Sequence, residues 1–160
     1  MDGSDAAGLT FQHETYEQVI DDIKPLLTKH WQEIARNKDK IPLNPDYSVY
    51  TALGRGKHLR IYTARLNGVL VGYAIYFVRQ HPHYQNSIWA VSDIFWLDGN
   101  VRGLGLGRGL FQFTEESLRA EGVAVMHTTY KVEHPAAGNL LESMGHELIE
   151  HGRAKMLLGD

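Results

Sequence analysis

Cysteine is absent from the 160 residues, and its absence excludes disulfides, zinc fingers and thiol chemistry on the protein. Neither sign of charge is in excess: 16 Lys and Arg stand against 19 Asp and Glu, a formal net charge of −3. Such a balance offers no basic face for nucleic acid, and none is predicted as a partner. Long hydrophobic runs are lacking too. The longest apolar-leaning stretch, Val69 to Val78, is about half of what a membrane span needs, and the start of the chain lacks the basic-then-apolar order of a signal peptide. The expectation is a cytoplasmic protein with no membrane partner. There is no repeat, low-complexity tract or linker, so the length predicts one domain over 9–160 behind a frayed polar tail, 1–8.

What is present is a change of period along the chain. "LTFQHE" reads as a short strand, after which Val19, Ile20, Ile23, Leu26, Leu27 and Trp31 recur at helical spacing, with Pro25 placed to interrupt or kink the helix. Asn44 or Asp46 can cap a second short helix, 47–53. "LRIYTARL" and "VLVGYAIYFV" are strand-like runs joined by Asn67-Gly68, the strongest short hairpin signal. A polar stretch, "RQHPHYQN", reads as a loop before a third run, Ser87 to Leu97. Beyond it come a helix over 108–121, a strand "VAVMHTTY", a helix opened by Pro135 over 135–144, and two closing strands, "HELIE" and "AKMLL". The order predicts an α/β (α+β) fold with a mixed, mainly antiparallel sheet of six to seven strands and about four helices. Trp31, Trp89 and Trp96 are expected in the core.

Glycine is plentiful, 16 residues, and concentrated in "NVRGLGLGRGLF", Asn100 to Phe111. Between a strand and a helix, such glycines let successive backbone N–H groups turn inward. The following helix adds its free amides and the positive end of its dipole, a concavity suited to phosphate. Arg102 and Arg108 bracket the loop and can supply charge-assisted hydrogen bonds to a diphosphate. A P-loop is excluded because no lysine follows any of these glycines, and the dinucleotide fingerprint fails because position 110 is Leu110. The pattern that fits is Arg-x-x-Gly-x-Gly, made by Arg102, Gly105 and Gly107.

With this element order, that pattern resembles the GCN5-related N-acetyltransferase (GNAT) family, whose pyrophosphate loop binds acetyl-coenzyme A. The likeness runs from the first strand to the last and is nearest to small stand-alone members of the kind found in bacteriophage genomes. It implies an N-acetyltransferase with acetyl-CoA as co-substrate and an amine-bearing acceptor as partner. The loop residues Arg102, Gly103, Leu104, Gly105, Leu106, Gly107 and Arg108 would cradle the pyrophosphate through their amides. Main-chain groups near Phe95 and Leu97 would pair with the pantetheine arm as if it were an added strand, in a splay between their strand and "VAVMHTTY". Asp93, nine residues before Arg102, is the only acid in "SIWAVSDIFWL" and stands where many relatives carry the acid that serves as general base, the alternative being an aspartate that caps a loop or pairs with an arginine; an acid in so apolar a strand is costly without a partner or a task.

The resemblance breaks at the general acid. Relatives carry Tyr-Glu-x-x-Gly-Phe where this chain has "LESMGH", so the usual tyrosine is Leu141. Water, Tyr130 or His134 remains to protonate the leaving thiolate, or the scaffold binds CoA or a partner without catalysis. His134 also stands where relatives use asparagine toward the pantetheine. Among the nine histidines, "HELIEH" misses the zinc spacing because position 150 is Glu150, and no metal is expected. His81 and His83, with Tyr84 beside them, read as solvated loop residues or as lining of the acceptor pocket. Strand edges and the final hairpin could pair subunits into a homodimer.

Overall fold

The computed structural model describes residues 8–158, so the expected tail over 1–7 lies outside the described residues, while Gly8 forms a turn whose carbonyl accepts from the Asn67 amide. Strand β1 (Leu9–Glu14) leads into helix α1 (Tyr16–Ile34) and helix α2 (Tyr47–Arg55). Strands β2 (Leu59–Leu66), β3 (Val69–His81) and β4 (Tyr84–Leu97) follow, and helix α3 (Leu106–Ala120), strand β5 (Val125–His127) and helix α4 (Pro135–Ser143) complete the order. The sheet runs β1-β2-β3-β4-β5, antiparallel except for the last pair, where β5 lies parallel to β4. The α+β class and the mainly antiparallel mixed sheet are as expected. No helix among the described residues is long and apolar enough to cross a membrane.

Local chemistry explains the element ends. Thr15 and Gln18 form a reciprocal capping box at α1, and the Asp46 carboxylate caps α2 by accepting from the amides of Ser48 and Val49. Asn67 and Gly68 both have positive φ, 50° and 82°, the geometry of a two-residue hairpin turn. The central strands are apolar on both faces because helices cover both. Ile61, Tyr73 and Ile75 pack with Val19 and Ile23 of α1, while Tyr62, Ala74, Tyr76 and Val78 pack with Leu110 and Leu118 of α3.

Several expectations are corrected. Five strands form among the described residues rather than six or seven, because 146–158 joins no ladder although it carries the "HELIE" and "AKMLL" pattern. A strand needs an edge to pair with, and β5 offers three residues; Leu148, Ile149, Leu157 and Leu158 stay exposed. Helix α1 runs through Pro25 without ending there. The stretch read as a loop, "RQHPHYQN", is mostly strand: β3 and β4 extend to a tight turn at Pro82-His83, with His81 paired to Tyr84. Of the three tryptophans Trp96 is in the core, whereas Trp31 and Trp89 are half-buried.

Candidate active site

The ladder between β3 and β4 contains one extra residue where it matters. Ile75 pairs with Ile94 and Tyr76 with Ser92, which leaves Asp93 as the bulged residue of β4. A bulge inverts the phase of a strand. Ahead of it Ala90 packs in the α3 layer; beyond it Ile94 and Trp96, also even-numbered, pack in the α1 layer. Asp93 is re-aimed by the same device, and its Oδ2 accepts a hydrogen bond from the Tyr50 hydroxyl of α2 at 2.7 Å. Burial pushes the Asp93 carboxyl up from its ordinary value, and the Tyr50 hydrogen bond offsets part of that rise. No ion pair involves Asp93 among the described residues.

Just beyond the bulge the sheet opens. The parallel ladder between β4 and β5 ends at Val91↔His127, and Ser92 Oγ then bridges to Thr129, accepting from its amide at 2.9 Å. From Asp93 to Leu97, β4 pairs with β3 on one side and carries no ladder on the other. Phe95 and Leu97 lie in this stretch, where β4 has no ladder partner on the β5 side among the described residues. The Leu97 carbonyl accepts from Arg102 Nε at 2.8 Å.

The glycine loop closes the far end of this stretch. Gly103 and Gly105 have φ of 83° and 79°, with open space where a Cβ would stand. Gly105 is the N-cap of α3, and no side chain caps that helix, so its first amides are left to a ligand or solvent. Gly107 lies close to Leu140 of α4, where an added Cβ would come within 3.2 Å. Leu106 is buried as an anchor and Leu104 is 70% exposed. The two arginines are not free arms over the loop. Arg102 binds Glu33 of α1 at 2.5 Å as well as the Leu97 carbonyl, and Arg108 donates to Ser143 Oγ of α4 at 2.6 Å. Both fix the loop to its surroundings. Beside Arg108, a groove of about 400 Å³ is lined by Gln112, Glu115, Glu116 and Arg119 of α3 and by Ser143 of α4.

The residues offered for proton donation lie around α4. Leu141 is 4% exposed and part of the packing. Tyr130 is exposed, and its ring lies against α4 at Gly138, where any Cβ would stand 2.4 Å from the phenol oxygen. His134 is the N-cap residue of α4, exposed and without a capping hydrogen bond from its side chain. The histidine pair sits elsewhere. His81, His83 and Tyr84 gather at the β3–β4 turn, joined by Trp89, whose ring centroid is 4.4 Å from that of His81. Tyr84 and Asp93 are nine positions apart along β4, about 30 Å at strand rise, so these three are not brought to the carboxylate. Among the described residues no group of three or more His, Asp or Glu side chains is placed to hold a metal ion. Sequence reasoning missed Tyr50 and the bulge, whose only trace is the lone acid in an apolar run.

The same architecture occurs in solved proteins. An aminoglycoside acetyltransferase from an uncultured soil metagenomic sample, in complex with trehalose, superposes with a TM-score of 0.73 at 13% identity, covering 94% of this chain and 98% of that one. A ribosomal-protein-alanine N-acetyltransferase from Brucella melitensis biovar Abortus 2308 gives 0.70 at 15% identity, over 94% and 99%. The enzyme AAC(6')-Iy, in complex with the bisubstrate analog CoA-S-monomethyl-acetylneamine, gives 0.62 at 18% identity, again over 94% and 99%. At these identities the likeness is one of fold. No curated protein matches the chain by sequence. The family is given by sequence on other grounds: the model of the Acetyltransferase (GNAT) family matches residues 20–146, which span the bulge, the unladdered edge of β4 and the glycine loop, and the chain belongs to that family of acyl-transferring enzymes.

Proposed function

We propose that the protein moves the acetyl group of acetyl-CoA to an amine acceptor by direct attack in a ternary complex. The observation that carries this reading is the setting of Asp93. It is a half-buried carboxylate without a cationic partner among the described residues, placed in a bulge where β4 parts from the chain beyond β5. Such a charge is costly to hold away from water, and an incoming ammonium group offsets that cost. With its proton affinity raised by burial, Asp93 is suited to take the proton the amine must lose. Solved proteins of this fold are named for aminoglycosides and for a ribosomal-protein alanine, which supports an amine as the acceptor class.

The chain's own groups fit the co-substrate in three places. The uncapped amides at the start of α3, opened by Gly103 and Gly105, suit the diphosphate. The unladdered edge of β4 near Phe95 and Leu97 suits the pantetheine arm, added as a strand. The groove lined by Arg108, Gln112 and Arg119, and also by the carboxylates Glu115 and Glu116, is the place left for the nucleotide end. Acetyl-CoA supplies the electrophilic thioester carbonyl: the amine nitrogen bonds to that carbon and the C–S bond breaks. The nitrogen's proton passes to Asp93, directly or through water, and the CoA thiolate takes a proton from solvent or from Tyr130. With no cysteine in the chain, a covalent acetyl-cysteine is excluded.

Calorimetric titration of the protein with acetyl-CoA should give a dissociation constant on the order of micromolar, a range in which about 8 kcal/mol is gained; no binding would overturn the proposal. Thiol release measured across amines, aminoglycosides and peptides should identify an accepted class. A second reading, a CoA-binding or partner-binding protein without catalysis, is favoured by one observation: Leu141 is buried where relatives carry the proton-donating tyrosine. Binding of acetyl-CoA with no thiol release on any acceptor would establish it.

A further inference from the structure

Tyr50 is the sole side chain hydrogen-bonded to Asp93 among the described residues, and the chain goes to some length to put it there. Helix α2 is started by Asp46, whose Oδ1 accepts from Ser48 N at 3.0 Å and Val49 N at 3.3 Å. That fixes the first turn and therefore the direction of Tyr50, the next residue. The Tyr50 ring then packs near two others. Tyr16 stacks on it with centroids 6.2 Å apart and planes 9° apart, and Phe77 of β3 lies 6.5 Å away. With its ring in these two contacts, the Tyr50 hydroxyl donates to Asp93 Oδ2, 2.7 Å away and 43 residues on in the chain.

From this geometry we propose that Tyr50 is a positioning residue. Its hydroxyl, carried on a ring packed near those of Tyr16 and Phe77, orients the bulged Asp93 carboxylate and favours its ionised form, the form able to accept a proton from an amine. The link to amine acetylation rests on the function proposed above; the link between Tyr50 and Asp93 stands on the contact itself.

The surroundings make the effect readable. The titratable groups facing this corner are Tyr50 from α2, Tyr16 from the first turn of α1 and Tyr73 from β3. Burial raises each above the ordinary phenol range, so none is charged at neutral pH. With no cation contributing, Asp93 feels burial, which raises its proton affinity, and the Tyr50 hydrogen bond, which lowers it. Removing the hydroxyl removes the lowering influence. Loss of one hydrogen bond to a charged group corresponds to an upward shift of about one pH unit, tenfold in proton affinity.

Tyr50→Phe keeps the ring and its packing. In the full chain, ¹³C NMR titration of the Asp93 side-chain carboxyl, assigned by its disappearance in Asp93→Asn, should show the midpoint rise by about one unit in Tyr50→Phe. It should stay in place in Tyr16→Phe, where the lost hydroxyl served the Tyr47 carbonyl at 3.5 Å. With an accepted amine, the acid limb of kcat/KM should move up by the same amount, while acetyl-CoA affinity is unchanged. A midpoint that does not move in Tyr50→Phe overturns the inference whatever the activity, as does an equal shift in Tyr16→Phe. A midpoint that moves in a protein that acetylates no amine upholds the role of Tyr50 toward Asp93 and overturns the acyl-transfer reading instead.

Discussion

Helix α3 carries a glycine of positive φ at each end, and the pair separates binding from folding. Gly105, at its N-cap, has φ 79°, and Gly122, just past its C-terminus, has φ 80°; an added Cβ at either meets nothing within 4 Å. Gly105→Ala and Gly122→Ala therefore incur the same backbone penalty, about 1–2 kcal/mol for an L-residue in the left-handed region. At about 2–4 °C per kcal/mol for a chain of this size, both should lower Tm by roughly 2–8 °C. Their effects on acetyl-CoA should diverge. The α3 axis is about 22 Å long at helical rise, so Gly122 is remote from the loop, whereas a Cβ on Gly105 enters the space over the first amides of α3. Displacing a charged oxygen from one of those amides forfeits about 1.5–3 kcal/mol, a tenfold or greater loss of affinity. Thermal denaturation and calorimetric titration of both variants give the comparison. Equal acetyl-CoA affinities in Gly105→Ala and Gly122→Ala would refute the assignment of the loop to the diphosphate.

Asp93→Asn should lower turnover of an accepted amine by on the order of a hundredfold or more, the usual worth of a general base, with acetyl-CoA affinity retained; unchanged turnover would clear Asp93 of the role. Gly72 lets β3 approach β4 at Leu97, since a Cβ there would stand 2.5 Å from Leu97 Cδ1 and 3.1 Å from the Trp96 carbonyl oxygen. Gly72→Ala should cost about 1–3 kcal/mol, read as a lowered midpoint in urea, and an unchanged midpoint would contradict the close approach. Glu14 supplies a pH test of stability. Burial pushes its carboxyl up, but hydrogen bonds from Arg65 and Thr63 and the Arg65 charge outweigh that and hold it below the ordinary range. A depressed folded-state value contributes stability that is present above the unfolded value, about 4.3, and lost as pH falls through the folded one. Glu14→Gln should cost about 1–3 kcal/mol at pH 7 and flatten the acid decline of Tm; an acid limb as steep as in the parent chain would rule the pair out as its source.

What was legible in the sequence was whatever the residue types themselves constrain. Gly103, Gly105 and Gly68 adopt positive φ in the structure, and a glycine at such a position states its backbone conformation in its identity. Asp93 was visible because it violates an apolar run. The features that escaped are relations between distant segments. "RQHPHYQN" looks like a loop by polarity, yet β3 and β4 hold it as strand through cross-strand pairing up to His81↔Tyr84. "HELIE" and "AKMLL" look like strands by alternation, yet nothing in their composition supplies the edge they lack. The bulge is hidden for a further reason: β4 is apolar on both faces, so a one-residue change of phase breaks no visible pattern. Tyr50 is the instructive case. It packs on the α1-side core together with Leu53, at the spacing of an amphipathic helix, and so reads as an ordinary core residue. Its ring satisfies the pattern, and only its hydroxyl, a single atom reaching 43 residues along the chain to Asp93, departs from it. An acid in an apolar strand is conspicuous because its whole side chain is out of place, whereas the group that tunes such an acid need contribute one polar atom on an otherwise apolar frame. The acid we propose as base can thus be read from sequence, while the partner we propose to orient it has to be read from the fold.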